Sequence, residues 1–221
     1  MDYSVTVLMT ELVTHDVRRY IVERPAGFEL EPGQAVMLAL NAAGWEKVRR
    51  SFTPTSLPAD RVLEFTIKAY PDHPGLTRAL HGLGPGTELR MSRPFGTLTY
   101  RGPGTFIAGG AGITPFLAMI RSLAGDGAAG DHGLIYAART PDDLICPQEL
   151  RHYLGERCRL VCTREGGTGC EPGRVDRDYL ARALDTQDQH FYVCGPPAFV
   201  RDVTAALDDL GASADLMLFE S

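Results

Sequence analysis

Two short motifs in the second half of the sequence have the composition of nucleotide-binding turns. They are GGAGITP at Gly109–Pro115 and CGPP at Cys194–Pro197. Glycines between a strand and a helix let the backbone approach a phosphate, and the helix N-terminus offers N–H groups and a positive dipole end. Pro115 stands where the ordinary dinucleotide fingerprint has its third glycine. The turn therefore predicts either a variant nucleotide cradle or a strand-to-helix turn whose glycines serve packing alone.

Cys194 admits two interpretations. A thiol at the end of a strand can lie beside the reacting carbon of a nicotinamide, because ligands collect at the carboxyl ends of parallel strands. A free cysteine is also commonly a small buried hydrophobic residue.

A third motif, RRSFTPTS at Arg49–Ser56, combines groups that suit a phosphorylated aromatic ligand. Arg50 offers a bidentate donor for a phosphate, Phe52 a flat face for a ring, and Thr53 a hydroxyl. Alternation along a strand puts Arg50 and Phe52 on one side and Thr53 on the other. An exposed arginine beside a core phenylalanine explains the same residues without a ligand.

The segment PGLTRALH at Pro74–His81 predicts a short helix that Gly75 and Thr77 open. Its N-terminus can hold the other side of a pyrophosphate. The alternative is an ordinary capped helix.

The elements before residue 102 are β-rich. With 24 glycines and 15 prolines in 221 residues, turns are frequent, and short alternating segments recur at the spacing of a barrel or sandwich. We predict an antiparallel β-barrel with one short helix at Leu76–Leu83. The predicted strands cover residues 4–12, 18–25, 34–40, 62–70 and 87–94.

From Gly102 onward strands and helices alternate, which predicts a parallel sheet with helices on both faces. Thr114 is expected to cap a helix that Pro115 opens. The domains are therefore expected at residues 1–101 and 102–221. The predicted strands cover residues 104–110, 133–139, 157–165, 190–196 and 214–221. The predicted helices cover residues 114–124, 141–155, 176–184 and 197–211.

Composition excludes several classes of protein. The net charge of −6 argues against a nucleic-acid binder. The longest uncharged stretch, Gly102–Ile120, holds five glycines and two prolines, so no membrane span is expected. The N-terminus lacks the features of a secretory signal, which predicts a cytoplasmic protein. Five cysteines, an odd number, do not suggest a disulfide framework in that compartment.

The order of these motifs resembles the ferredoxin–NADP reductase superfamily over essentially the whole chain. The resemblance also includes PFG at Pro94–Gly96 and YAARTPDD at Tyr136–Asp143. It implies an N-terminal barrel that binds a flavin, FAD in preference to FMN, and a C-terminal α/β domain that binds NADPH or NADH.

The resemblance also implies roles for individual residues. Arg50 would bind the flavin phosphate, Phe52 would lie against the isoalloxazine or ribityl chain, and Thr53 would hydrogen-bond near flavin N5. Other flavin-binding positions would be Ser51, Lys68, Ala69, Tyr70, Gly75, Leu76 and Thr77. Positions around the nicotinamide nucleotide would be Gly110, Gly112, Thr114, Pro115, Arg139, Cys194, Gly195 and Pro196.

Two features depart from the family pattern. Phe52 replaces the usual tyrosine of Arg-x-Tyr-Ser, which removes a hydrogen bond to the ribityl chain. The family's terminal acid would fall at Met217, whereas the acid here is Glu220. Glu220 is therefore either a catalytic acid or a solvated charge, and Phe219 either covers the flavin or closes the sheet.

The loop after the third strand of the C-terminal domain decides the coenzyme. Arg164 and Arg174 can pair with a 2′-phosphate, and Thr163-Arg164 resembles the Ser-Arg pair of NADPH-using relatives. Acidic neighbours would repel that phosphate and can accept from a ribose 2′-hydroxyl instead. These neighbours are Glu165, Glu171 and Asp176. NADPH is the favoured coenzyme.

The implied chemistry is hydride transfer from nicotinamide C4 to flavin N5, for which the protein supplies orientation and polarity. No catalytic triad, metal-ligand spacing or Cys-x4-Cys-x2-Cys motif of an iron–sulfur domain is present. Electrons would pass to a separate acceptor such as a ferredoxin, a flavodoxin or an oxygenase component. The alternatives are direct reduction of free flavin, ferric chelates or quinones, or a non-catalytic relay subunit or nucleotide sensor.

Overall fold

The computed structural model describes residues 2–45, 47–70, 75–96, 98–167 and 169–220, with the backbone alone at residues 219 and 220. The chain divides into two compact units, residues 1–97 and residues 98–221. Each unit has a six-stranded sheet of its own.

The N-terminal unit is an antiparallel sheet in the strand order β4-β3-β6-β1-β2-β5. A single helix, α1 (Leu76–His81), follows the fifth strand. The strands are β1 (Tyr3–Leu12), β2 (Val17–Glu23), β3 (Val36–Leu40), β4 (Arg49–Phe52), β5 (Val62–Lys68) and β6 (Glu88–Met91).

The two edges of this sheet meet. Pro54, just after β4, forms an antiparallel bridge to Phe65 of β5, and the Thr55 N–H donates to the Glu64 carbonyl at 2.7 Å. The sheet therefore curls into a barrel, and alternate residues such as Val5, Val7 and Phe65 fill its core. The predicted antiparallel barrel is confirmed.

The C-terminal unit is a parallel sheet in the order β10-β9-β8-β7-β11-β12. The predicted parallel α/β fold is confirmed. Its strands are β7 (Gly104–Gly109), β8 (Gly133–Ala138), β9 (Cys158–Cys162), β10 (Glu171–Pro172), β11 (His190–Cys194) and β12 (Met217–Glu220). Its helices are α2 (Thr114–Gly125), α3 (Pro147–Leu154), α4 (Arg177–Ala183) and α5 (Pro197–Asp209).

Both faces of this sheet are covered by helices. Ile107 of β7 packs in one cluster with Val203 of α5 and Leu180 of α4. The preceding residue of the strand, Phe106, faces the other side of the sheet and contacts Phe116 of α2, with ring centroids 5.1 Å apart. The whole of β7 is buried, as a central parallel strand must be.

Two local predictions were wrong. The predicted helix at residues 141–155 is a 3₁₀ turn at Pro141–Asp143 and then α3, because Pro147 has no N–H to donate and disfavours a helical residue before it. Cys146 there has a φ of 51°. Thr114 does not cap α2: a 3₁₀ turn leads into the helix, and the Thr114 hydroxyl donates to the Ala111 carbonyl at 3.1 Å.

None of the helices among the described residues has the length and apolar composition needed to cross a membrane. The segment that begins at Leu98 belongs to the C-terminal unit, where the Arg101 N–H donates to the Tyr192 hydroxyl at 2.9 Å. The domain boundary at residues 101 and 102 stays a prediction.

Candidate functional site

The predicted phosphate-binding segment of the N-terminal unit lies on β4, an edge strand that pairs with β3. Arg50 lies opposite Leu38, and Phe52 lies opposite Val36. Arg50 and Ser51 are exposed, and the Arg50 guanidinium donates to the neighbouring Arg49 carbonyl at 2.9 Å. An exposed guanidinium that donates to a neighbouring carbonyl can rotate to bind an external anion.

The two residues after Ser51 point to different surroundings. Phe52 is half-buried and packs against the barrel core, so the interpretation as a core residue holds for part of its ring. Thr53 is 9% exposed. A hydroxyl with so little exposure can reach a ligand only along a narrow approach.

The segment after β5 presents its backbone more than its side chains. Lys68 Nζ forms an ion pair with Asp16 Oδ2 at 2.7 Å, so its ammonium is already balanced by a carboxylate. Ala69 is buried, and its N–H donates to the Asp16 carbonyl at 2.7 Å. Tyr70 is 45% exposed and leaves an aromatic face available to a ligand.

Helix α1 begins at Leu76, after Gly75 in an extended conformation. Apart from its chain neighbours, no atom of the described residues lies within 4 Å of the position that a Cβ on Gly75 would take, so this side of the backbone is open toward them. Leu76 is 1% exposed and belongs to the barrel core, so it can meet a ligand only through its backbone. Thr77 is half-buried. Pro74 lies outside the described residues.

The C-terminal unit has a topological switch point between β7 and β11. From β7 the chain proceeds outward to β8 and β9, and it returns to the other side of β7 as β11. The carboxyl ends of β7 and β11 therefore adjoin, at Gly109 and Cys194. In open parallel sheets such a crevice is where ligands bind.

The two glycine-rich turns touch each other at this crevice. A Cβ on Gly112 would collide with the Cys194 carbonyl and would lie 2.6 Å from the Gly195 nitrogen. A Cβ on Gly195 would lie 3.2 Å from the Gly109 Cα. The packing interpretation thus holds for Gly112 and Gly195, because a side chain at either position would overlap neighbouring atoms.

Gly110 differs from its neighbours. Its φ is +55°, and no atom lies within 4 Å of where its Cβ would be. It turns the backbone toward open space at the amino end of α2, and Thr114 beside it is half-buried. Pro115 is buried and packs within the unit. The nucleotide-cradle interpretation therefore rests on Gly110 and the helix start, and the packing interpretation on the other glycines.

Cys194 lies between two strands at the same edge. In the sheet register it is opposite Ala108 of β7 and Glu220 of β12. Cys194 and Gly195 are half-buried, and Pro196 is exposed. The backbone of Phe219 pairs with Val193. The side chains of Phe219 and Glu220, and the predictions made for them, lie outside the described residues.

The predicted coenzyme-selecting cations gather at the carboxyl ends of β8, β9 and β10. The Arg164 N–H donates to the Arg139 carbonyl at 2.9 Å, and the Thr163 N–H donates to the Ala138 carbonyl at 2.9 Å. Arg174 follows β10 directly after Gly173. Thr163 and the three arginines are exposed, and no ion pair forms between these guanidinium groups and any carboxylate of the described residues.

Of the three nearby acids, Asp176 is the N-cap residue of α4. Its carboxylate accepts the Tyr179 N–H at 2.8 Å and caps α4. Its predicted contact with a ribose hydroxyl is therefore not favoured. Glu165 and Glu171 are exposed loop and strand-edge residues.

A disulfide joins Cys162 to Cys170, with 5.9 Å between the Cα atoms. The odd cysteine count did not suggest a disulfide framework, and this single bridge was not predicted from the sequence. β10 lies beside β9 in the parallel orientation, pairing Glu171 with Val161 and Pro172 with Cys162, and so brings the two cysteines together. A two-residue strand gives no periodic signal, which is why sequence reasoning missed both the strand and the bridge.

Both halves of the chain match family models. Residues 4–100 match the oxidoreductase FAD-binding domain, and residues 106–205 match the oxidoreductase NAD-binding domain. An NADH-cytochrome b5 reductase 1 from Pyricularia oryzae is 30% identical over 224 residues, which cover 90% of this chain and 72% of that protein. The chain belongs to the ferredoxin–NADP reductase superfamily.

Two further proteins are similar to the chain, one in sequence and one in fold. The glycine betaine monooxygenase reductase subunit of Chromohalobacter salexigens is 32% identical over 216 residues, or 90% of this chain. A ferredoxin NADP+ reductase from Neisseria gonorrhoeae, solved with bound FAD and NADP, shares the fold at a TM-score of 0.84. It is 20% identical, and the match covers 99% of this chain and 97% of that one. The chain spans 58–64% of the length of three curated reductase components and subunits that it matches.

Proposed function

We propose that this chain is a flavin-dependent NAD(P)H oxidoreductase that passes hydride from NADPH or NADH to bound FAD and then electrons to a separate acceptor. The observation that carries the proposal is the switch point of the C-terminal sheet, where the open Gly110 backbone adjoins the Cys194–Gly195 turn. When bound, the two cofactors supply hydride transfer from nicotinamide C4 to flavin N5. The residues of this chain bind and orient them.

In this proposal the N-terminal unit binds the flavin. Arg50 donates to a phosphate, and the open backbone at Gly75 with Thr77 receives the pyrophosphate, which is a reason to favour FAD over FMN. The Thr53 hydroxyl approaches flavin N5, and Phe52 offers the exposed part of its ring. Ser51, Lys68 and Ala69 contact the flavin through their main chain, since Lys68 is ion-paired and Ala69 is buried. Tyr70 contacts the flavin with its aromatic ring.

The C-terminal unit binds the coenzyme. Gly110 and Thr114 line the cradle, while the buried Pro115 and the packed Gly112 shape it from behind. Cys194, Gly195 and Pro196 border the nicotinamide ring. Glu220 is the candidate terminal acid and Phe219 the candidate flavin cover, both on the strength of the family likeness.

NADPH is the proposed coenzyme. The supporting observation is the gathering of Arg139, Arg164 and Arg174 at one sheet edge without a carboxylate partner among the described residues. A 2′-phosphate would supply the missing negative charge. The assignment of Asp176 to helix capping removes one competing acid.

The acceptor is proposed to be a ferredoxin, a flavodoxin or an oxygenase component, since several relatives carry reductase-component names. Since NAD(P)H is an intracellular coenzyme, the same proposal puts the chain in the cytoplasm.

The alternative among enzymes is a reductase of small acceptors such as free flavin, ferric chelates or quinones. Turnover with such an acceptor but with no carrier protein would support it. The replacement of the family tyrosine by Phe52 favours a candidate of another class, a relay subunit or nucleotide sensor, which would bind nucleotide without turnover.

A visible absorption spectrum of the purified protein tests the proposal. We expect flavin bands that bleach after anaerobic NADPH, and more slowly after NADH. Bands that persist with both coenzymes would instead support the relay or sensor. A colourless protein that takes up neither FAD nor FMN would overturn the flavin assignment.

A further inference from the structure

The disulfide closes the loop that carries the coenzyme-selecting cations. Cys162 ends β9, and Cys170 directly precedes β10. Arg164 lies two residues after the first cysteine, and Arg174 lies four residues after the second. The covalent bond therefore fixes the distance between the end of β9, which precedes Arg164, and the start of β10, which precedes Arg174.

The two arginines depend on this bond to different extents. Arg164 and its neighbour Thr163 are held by backbone hydrogen bonds to β8. The chain leading to Arg174 is held by the two-residue pairing of β10 and by the Gly173 N–H, which donates to the Cys162 carbonyl at 3.0 Å. Without the disulfide, the chain between Gly169 and Val175 would be held by this short pairing and by the Arg151 guanidinium, which donates to the Gly169 carbonyl.

We propose that the Cys162–Cys170 disulfide positions Arg174 for the 2′-phosphate of NADPH, so that forming or breaking the bond changes the selectivity of the protein for NADPH over NADH. The inference rests on the proposed function. It adds that Cys162 and Cys170 position Arg174, and that the redox state of this bond regulates the affinity for NADPH. Hydride transfer itself is unchanged. Disulfides in a reducing compartment are usually transient or redox-sensing, which suits a bond that opens and closes.

One cysteine of the pair lines a cavity that a small reductant can enter. Cys162 is 1% exposed, but Cys170 is 7% exposed and lines a cavity of about 800 Å³ beside β9. A thiolate of a dithiol reductant attacks the Cys170 sulfur, the Cys162–Cys170 bond breaks, and Cys162 leaves as a thiolate that takes up a proton. The second thiol of the reductant then displaces Cys170, and the reductant becomes a cyclic disulfide.

A third cysteine, Cys158, lines the same cavity. Burial raises the pKa of its thiol to about 11, and the nearby Arg151 only partly opposes this shift. A thiol that stays protonated near neutral pH is a poor nucleophile for disulfide exchange. Cys158 therefore provides a matched control on the same strand.

The first experiment counts thiols. Alkylation of the denatured protein with iodoacetamide, followed by mass spectrometry, should modify three cysteines in the oxidised protein and five after treatment with dithiothreitol. Five modified cysteines in protein that has been incubated with diamide, which oxidises a dithiol to a disulfide and is itself reduced to the hydrazine, would overturn the proposal.

The second experiment compares coenzymes in anaerobic flavin reduction, before treatment and after dithiothreitol has been applied and removed. Reduction should raise the NADPH KM about tenfold, the loss expected for one misplaced charged hydrogen bond, and should leave the NADH KM and both kcat values unchanged. The double variant Cys162→Ser/Cys170→Ser should behave like the reduced protein, and Cys158→Ala should respond like the wild type. The wild-type comparison stands by itself if the double variant does not fold.

The assignment to Arg174 is tested by combining treatments. In Arg174→Ala, reduction should have no further effect on the NADPH KM, whereas in Arg164→Ala the effect should persist. Equal NADPH and NADH responses, or no response with a crosslink proven by mass spectrometry, would overturn the inference and leave the proposed function intact. Absence of flavin reduction by either coenzyme in either redox state would overturn the proposed function, and with it the inference.

Discussion

At the scale of single residues, Arg164 is the side chain whose removal most directly tests the coenzyme assignment. Arg164→Ala should raise the NADPH KM by roughly 10- to 100-fold, because a hydrogen bond to a charged phosphate contributes about 1.5–3 kcal/mol. The NADH KM should not change, since NADH has no 2′-phosphate. Initial rates of flavin reduction with each coenzyme measure both.

The matched control for that variant is Arg201→Ala. The Arg201 side chain is 72% exposed and forms its ion pair with Asp202 of the same helix. It should alter neither KM. If Arg164→Ala raised both coenzyme KM values equally, the arginine would contribute to general affinity and the NADPH assignment would be wrong.

A buried histidine in the C-terminal unit links stability to pH. His132 is 1% exposed, its Nδ1 donates to the Ala128 carbonyl at 3.0 Å, and its Nε2 accepts the Tyr100 hydroxyl at 3.0 Å. Burial lowers its pKa, and this outweighs the opposing effects of the Ala128 hydrogen bond and Asp131. Below the ordinary histidine pKa of about 6.5, the unfolded chain binds a proton that the folded chain does not.

The stability that neutral His132 contributes should therefore be complete above about pH 6.5 and should fall as the pH drops toward its lowered folded pKa. His132→Gln should cost about 1–3 kcal/mol at about pH 8, and the gap to wild type should shrink at about pH 5.5. Urea unfolding at the two pH values measures this gap. His15→Gln, whose histidine side chain is 64% exposed, is the control. A gap that stays constant or widens at low pH would contradict the lowered pKa.

At the scale of elements, the contact between the two glycine turns decides how closely β7 and β11 approach at the switch point. Gly112→Ala should destabilise the protein by about 1–3 kcal/mol, because the new methyl group meets backbone atoms of Cys194 and Gly195 that have no room to move. The midpoint of urea unfolding measures the loss.

Gly125→Ala supplies the comparison at the other end of the same helix, α2. No atom lies within 4 Å of the position of its Cβ. It should be neutral or should stabilise by up to about 1 kcal/mol through reduced backbone freedom. Equal stability of the two variants would mean that the turns do not pack as closely as the structure indicates.

The elements also differ in how well the sequence foretells them. β7 is a continuous apolar run and α5 a long periodic segment, and both lie within a residue or two of their predicted limits. β10 is two residues long, and its place depends on the pairing with β9 and the bond between Cys162 and Cys170. Such contacts between residues distant along the chain leave no local pattern. The interruption before α3 follows from Pro147, because a proline disfavours a helical conformation at the residue before it, Cys146.

The candidate site divides in the same way. The motifs at Gly109–Pro115 and Cys194–Pro197 do fall at neighbouring strand ends, because strand-to-helix alternation fixes which ends they occupy. The roles of individual residues within a motif depend on packing. Gly110 is open, Gly112 is closed by backbone, and Asp176 caps a helix, and the sequence alone distinguishes none of these outcomes.

At the scale of the whole molecule, each unit is proposed to bind one cofactor, and hydrogen exchange of the intact chain can separate the two. A ligand that binds only the folded state stabilises it in proportion to the logarithm of its concentration, so at 100 times Kd global exchange slows about 100-fold. FAD should protect peptides of residues 1–97, above all those that contain Arg50 and Gly75. NADP+ should protect peptides of residues 98–221, above all those that contain Gly110, Arg164 and Cys194. NADP+ protection confined to residues 1–97 would contradict the assignment of the coenzyme to the parallel sheet.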